Sequence, residues 1–434
     1  MSYILLSIYA IVLLFVVYRA KFFQSPHLPK YIPSVIFILK FAAGISVYLV
    51  YAHFYGTRHS SDIFKYFDDG NIIYSALHQN PVDYLRMLTG IGGKAPHLDP
   101  YYYTCNFWIK PFNYGLINDN LIVIRFNALI RLISMGNFHI HTLFMSFLSF
   151  TGLWAIFKVF EKVFIRQIWG LVVVVFFIPS VYFWTSGLLK EGILMFAFGL
   201  LLYFVKQLDL KKFQPKYLLG ILIMVFILLL SKFYVLVAAI PGIVYVLLTK
   251  NQTRKYRMLK FIAVHLIYFS LAWFSKPLFG ISFPEIIAQK QNDFITYSDS
   301  LKHVGSKIDL KPIEATISSM LKATPQAFFN TLFRPTLFEA NNLMMLMAAL
   351  ENLLVVIALL IGIVFFTSKR LSNNWLWFSI SFTLILFVLS GLTTPVLGAL
   401  VRYKAPALPF LGVVLFFILD FDKLKKTAKR LIPF

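Results

Sequence analysis

Apolar runs about as long as a bilayer is thick recur from one end of the chain to the other, near residues 3–18, 33–54, 138–157, 168–184, 187–205, 217–231, 233–249, 259–280, 342–367, 375–392 and 405–420. A hydrocarbon core of roughly 30 Å takes about 20 helical residues, and inside it a chain must satisfy its backbone polar groups by itself. Runs of this length therefore predict an all-α polytopic membrane protein with about eleven transmembrane helices, read as one membrane domain over 1–434. Composition agrees, with 59% hydrophobic and only 14% charged residues, and excludes a two-domain soluble enzyme or a disordered tail protein. The formal charge of +23, from 41 Lys and Arg against 18 Asp and Glu, would point a soluble chain toward nucleic acid. In a membrane protein it speaks first of topology, and no nucleic-acid partner is expected. The opening MSYILLSIYAIVLLFVVYRAK has its first cations after the apolar run, so it reads as an uncleaved span. The single cysteine, Cys105, offers neither an internal disulfide nor a Cys-rich metal site.

Charge fixes an expected orientation. With the N-terminus outside, the inner segments are 19–32, 158–167, 206–216, 249–260, 368–374 and 421–434, which hold 22 of the 41 cations. Only four acids lie in or beside them: Glu161, Asp209, Asp420 and Asp422. Short basic loops on alternate sides are what the positive-inside rule asks for. The C-terminus is then cytoplasmic, and a bacterial inner membrane is the default setting.

The opposite face carries two long loops, about 55–137 and 281–341, with twelve of the eighteen acids. Loops of that length in a compact membrane protein are usually functional. Their stretches LIVIRFNALIRLIS (121–134) and IEATISSMLKATPQAFFNTLF (313–333) have helical spacing with interspersed cations, as expected of helices lying in the interface. The first loop opens on HSSDIFKYFDDGNIIYSAL. If this is helical, Asp62, Tyr66 and Asp69 share one face, and the two acids stand about 10 Å apart. A carboxylate just above the bilayer is a candidate general base; Asp68 and Asp69 otherwise read as a solvated turn before Gly70. GIGGK, ending at Lys94, lacks the spacing and Ser/Thr of a phosphate-binding loop and reads as a turn. His139 and His141 point to different faces of a helix and read as packing residues.

The hairpin PSVYFWTSGLLKEG (179–192) sets Lys190 and Glu191 at the outer membrane surface, where a charged pair is either functional or a snorkelling end-cap. Lys232, Arg334, Arg402 and Lys404 also fall near outer span ends, against the positive-inside bias. A lipid-linked phosphate at headgroup depth would account for them, since Arg forks and Lys point charges are its usual ligands.

The layout resembles the GT-C class of integral membrane glycosyltransferases, related to the dolichyl-phosphate-mannose-type and lipid A-modifying transferases of the cell surface. The stretches that carry the resemblance are SDIFKYFDDGNIIYSAL, FWTSGLLKE, LFRPTLFEANNLMMLMAALENL (332–353) and RYKAPALPFL (402–411). The resemblance implies transfer of a sugar from a polyprenyl-phosphate donor to an acceptor hydroxyl of a glycan, lipid or protein on the outer face. It makes Asp62 the expected base, with Asp69 and Asp68 in reserve and Tyr66 beside it. Lys190, Arg402, Arg334, Lys232 and Lys404 become expected ligands of the donor phosphate, and Glu191 an orienting group. No cofactor is required, although Asp68 and Asp69 could hold one divalent ion with the phosphate, as in some members of the class. Two other readings stand beside it. One is a polysaccharide polymerase that joins lipid-linked repeat units on the same face. The other is a transporter, which would need mid-span charges or paired broken helices; only Lys40 and Glu351 come near that.

Overall fold

The computed structural model describes residues 2–54, 58, 61–110, 118–208, 212, 214–250, 256–300 and 306–431, with side chains to 427. Parts of the first long loop and of the basic segments 206–216, 249–260 and 421–434 lie outside the described residues. The described chain is helical, with no β-strand beyond two isolated bridges. It divides into two compact units, Met1–Phe177 with Val181–Leu236, and Ile178–Ser180 with Val237–Phe434.

The first unit runs through α1 (Ser2–Arg19), α2 (Ile32–His53), α3 (Asp62–Gln79), α4 (Pro81–Thr89), α5 (Asp99–Thr104), α6 (Leu121–Ser134), α7 (Phe138–Phe160) and α8 (Ile168–Phe176). After α9 (Pro179–Trp184) come α10 (Lys190–Gln207) and α11 (Pro215–Ser231). Helix α7 is buried along most of its length and is the hub against which α10, α2, α8, α6 and α1 pack. Lipid tails give no hydrophobic drive between such helices, so backbone approach through small residues does the work. A Cβ on Gly199 would sit 1.9 Å from the Gly152 carbonyl oxygen, and one on Gly152 would sit 2.0 Å from that of Met195. Helices α7 and α10 therefore meet backbone to backbone. Helix α3 is amphipathic; it buries Ile63, Phe64, Tyr66, Asp69, Gly70, Ile73 and Ala76, chiefly against α6. Gly70 lets that crossing close, since a Cβ there would lie 2.5 Å from Asn127 Cβ. Asp68, Asp69 and Gly70 thus lie inside a helix, not in a turn. The GIGGK stretch does turn, with Gly90 and Gly92 at φ 83° and 69°.

The second unit comprises α12 (Phe233–Thr249) from Val237 onward, α13 (Arg257–Trp273), α14 (Ser275–Phe279), α15 (Phe283–Ser300), α16 (Ile317–Phe333), α17 (Leu343–Val364), α18 (Asn374–Thr393), α19 (Leu397–Lys404), α20 (Leu408–Ile418) and α21 (Phe421–Leu431). Its centre is α18, packed by α16, α20, α15 and α19. Phe378, Phe382 and Phe410 interlock there.

Six of the described helices are long and apolar enough to cross a membrane: α1, α2, α7, α17, α18 and the run Leu397–Ile418. Three shorter apolar segments join them, Ile165–Phe176, Pro215–Ser231 and Phe233–Thr249. The other expected runs fall short for reasons visible in their residues. Helix α10 carries Lys190, Glu191 and Lys206, the 168–184 run breaks between Phe176 and Pro179, and α13 is 17 residues long with Arg257 and Lys260 in its first turn. The two stretches expected to be interface helices are helical, as α6 and α16.

Candidate functional site

Helix α3 carries the three acids of the sequence motif into different surroundings. Asp62 occupies the first helical position after Ser61, where a carboxylate suits the helix dipole, and it is partly buried. Asp68 faces outward and pairs with Arg58, Nη2 to Oδ1 2.5 Å. Asp69 is fully buried and accepts three hydrogen bonds. They come from the backbone N–H of Asn106 at 2.7 Å, the Asn106 side chain at 2.9 Å and the backbone N–H of Phe107 at 2.8 Å. Burial pushes its carboxyl up, while the bonds from Asn106 and Phe107 pull it back in part. Asp69 is a latch that holds the segment after α5 onto α3.

That latch assembles a second acid site. Asn118 Nδ2 donates to the Trp108 carbonyl at 2.8 Å, and Tyr66 donates its hydroxyl to Asn120 Oδ1 at 3.0 Å. The segments around 107 and 119 are so tied to each other and to α3. Between Asn118 and Asn120 stands Asp119, 21% exposed, with three lysines round it. Lys110 reaches its Oδ1 at 2.8 Å; Lys190 and Lys232 reach its Oδ2 at 2.8 and 3.7 Å. Lys190 also lies 6.0 Å from the centre of the Tyr66 ring, within cation–π range.

The electrostatics of this cluster follow from its count. Three ammonium groups stand around the Asp119 carboxylate. Lys190 opens α10, where the helix dipole disfavours a cation, so it depends on Asp119 for compensation. Burial alone would raise the Asp119 carboxyl; the charges of Lys190, Lys232 and Lys110 outweigh it and hold the group far below the usual carboxylate range. Asp119 therefore takes up a proton poorly while the lysines face it, and the lysines form a partly desolvated cluster of cations.

The sequence singled out Lys190, Lys232 and Tyr66, and the fold brings these three together. It missed Asp119 and Lys110. The signal available was Asn118-Asp119-Asn120, three polar residues directly before the apolar run of α6; its pairing with lysines 71 and 113 positions later in the chain is not periodic and cannot be read from spacing. Glu191 lies buried in the first turn of α10.

The remaining expected phosphate ligands belong to the second unit. Arg334 pairs with Glu339, Nε to Oε1 2.6 Å. Lys404 is buried and gives its three N–H donors to the carbonyls of Thr331 (2.8 Å) and Arg334 (3.3 Å) and to Asn352 Oδ1 (2.7 Å). None is left for an anion, so Lys404 is a structural tie between α19, α16 and α17. Arg402 is partly buried in the last turn of α19.

A buried chain of hydrogen bonds joins α6 to α7: Ser134 Oγ to His141 Nε2 at 2.8 Å and His141 Nδ1 to Asn127 Oδ1 at 2.8 Å. The order resembles that of a nucleophile, base and orienting residue, but all three side chains are out of solvent, and the chain acts as a lock. His139 packs edge-on against Tyr48. Among the described residues no group of three or more His, Cys, Asp or Glu is placed to hold a metal ion, and Asp68 and Asp69 turn their oxygens to different partners. No protein-family model matches the chain, and neither a curated protein nor a solved structure matches it.

Proposed function

We propose that the chain is an integral membrane glycosyltransferase of the GT-C kind, which moves a sugar from a polyprenyl-phosphate donor to an acceptor hydroxyl on the outer face. The reading includes about eleven spans, an outer N-terminus, an inner C-terminus and a bacterial inner membrane. One observation carries it: Lys110, Lys190 and Lys232 converge on one partly buried site around Asp119. An isoprenoid phosphate cannot leave the bilayer surface, and ammonium groups are apt ligands for its oxygens.

In the proposed step, the acceptor oxygen attacks the anomeric carbon and passes its proton to a carboxylate. The bond from that carbon to the phosphate oxygen breaks, and the polyprenyl phosphate departs with the electron pair. The lysines stabilise the charge that grows on the leaving group. Asp62 is the proposed base, one helical turn from Tyr66, whose ring borders Lys190. A second reading assigns the proton to Asp119, because it touches all three lysines. A bound phosphate would draw their charge away and restore its basicity.

The experiment is donor turnover by purified protein. Asp62→Asn should abolish transfer with membrane insertion and thermal stability kept. Full activity in that variant, with loss in Asp119→Asn, would move the base to Asp119. Growth of a ladder of repeats from lipid-linked oligosaccharide would favour the polymerase reading, and solute flux into liposomes without donor would replace the transferase with a transporter.

A further inference from the structure

The second unit contains a cavity of about 250 Å³ between α15, α16 and the end of α18, lined by Gln291, Lys311, Ser319, Lys322 and Gln326 over an apolar floor that includes Ile313 and Leu392. We infer that it is a binding site for a single anionic sugar unit, a ring bearing a carboxylate or a phosphate.

Its polar lining is built of donors. Gln291 is 2% exposed. Its Oε1 accepts the backbone N–H of Ile313 at 2.8 Å, which fixes the orientation of the amide. The Nε2 group is left without an acceptor among the described residues, on a side chain that lines the cavity. It opens onto the cavity, where a ligand or solvent oxygen can accept from it. Ser319 Oγ accepts the N–H of Glu314 at 3.0 Å, which leaves its hydroxyl proton to donate. Lys311 and Lys322 add two ammonium groups that pair with no acid among the described residues, and no Asp or Glu lines the cavity. Donors and cations with no opposing acid select an acceptor-rich anion.

Size and floor narrow the class. The volume is below the roughly 300–1,000 Å³ of pockets that enclose a drug-sized ligand, so it admits one ring and its substituent. The floor of Ile313, Ala323, Ala327 and Leu392 offers an apolar surface to one face of such a ring. Gly391 permits this packing of α18 on α16, since a Cβ there would lie 2.0 Å from the Ala327 carbonyl oxygen.

The site stands apart from the transferase reading, because its test reads binding alone. Full-length protein in detergent would be titrated calorimetrically with glucuronate, glucose 1-phosphate and glucose. At least one of the two anions should bind about tenfold or more tightly than glucose. Lys311→Gln combined with Lys322→Gln should weaken that anion by about tenfold or more and leave the melting temperature unchanged, as both side chains are exposed. Gln291→Glu keeps an acceptor for Ile313 while exchanging the donor for an acid, and should abolish binding. Glucose binding as well as both anions, or anion binding indifferent to the Lys311 and Lys322 changes, would overturn the inference.

Discussion

At the scale of single residues, the account turns on Asp119 and the charges it neutralises. Its carboxyl is depressed in the folded chain, because the three lysine charges exceed the opposing effect of burial. A depressed carboxyl contributes stability above its unfolded value, near pH 3.9, and that contribution is lost as pH falls toward the folded value. Acidifying from about pH 5 to about pH 3 should therefore lower the melting temperature of the wild-type protein more steeply than that of Asp119→Asn. Equal slopes would show that the ion pairs do not stabilise the fold. The three acids of α3 teach the same lesson about environment. They share a helix and a residue type, yet one stands in the first turn, one pairs with Arg58 near the surface and one is consumed by the N–H groups of Asn106 and Phe107. The sequence placed Asp62, Tyr66 and Asp69 on one helical face because a 3.6-residue period is a local property. It could not separate latch from candidate base, because the partners of Asp69 lie 37 and 38 positions away.

At the scale of helices, the closest contact is the crossing of α7 and α10 at Gly152 and Gly199. Gly199→Val would drive its side chain into the Gly152 carbonyl. Overpacking of this kind costs about 1–3 kcal/mol or more, and here the neighbour is backbone and cannot rotate away. The variant should melt at a markedly lower temperature in detergent, whereas an unchanged transition would mean that the two helices do not meet as described. Helix existence was legible from apolar runs and amphipathic spacing, which is why α1, α2, α7, α17, α18, α6 and α16 fall close to their expected positions. Interruptions were less legible. The 168–184 run breaks before Pro179, and the charged start of α10 is met by Asp119, a tertiary pairing that hydropathy does not encode.

At the scale of the whole molecule, orientation is the claim the basic segments make. Single cysteines introduced at Lys94 and Lys426 should be labelled from opposite sides of intact cells or oriented vesicles, Lys94→Cys from outside and Lys426→Cys from the cytoplasm. The native Cys105 adds little background, because burial and the neighbouring Asp69 push its thiol up to about 12 and maleimides need the thiolate. Labelling of both positions from the same side would refute the topology. The proposal as a whole depends on the three lysines recognising a phosphate held at the membrane surface. Hydrogen bonds to charged groups contribute about 1.5–3 kcal/mol each, on the order of 10–100-fold in affinity. The most direct measurement is the affinity of purified protein in nanodiscs for polyprenyl phosphate, compared among wild type, Lys190→Gln and Lys232→Gln. The account predicts a loss of about tenfold or more in each variant with the melting temperature largely kept; equal affinity in all three proteins would contradict it.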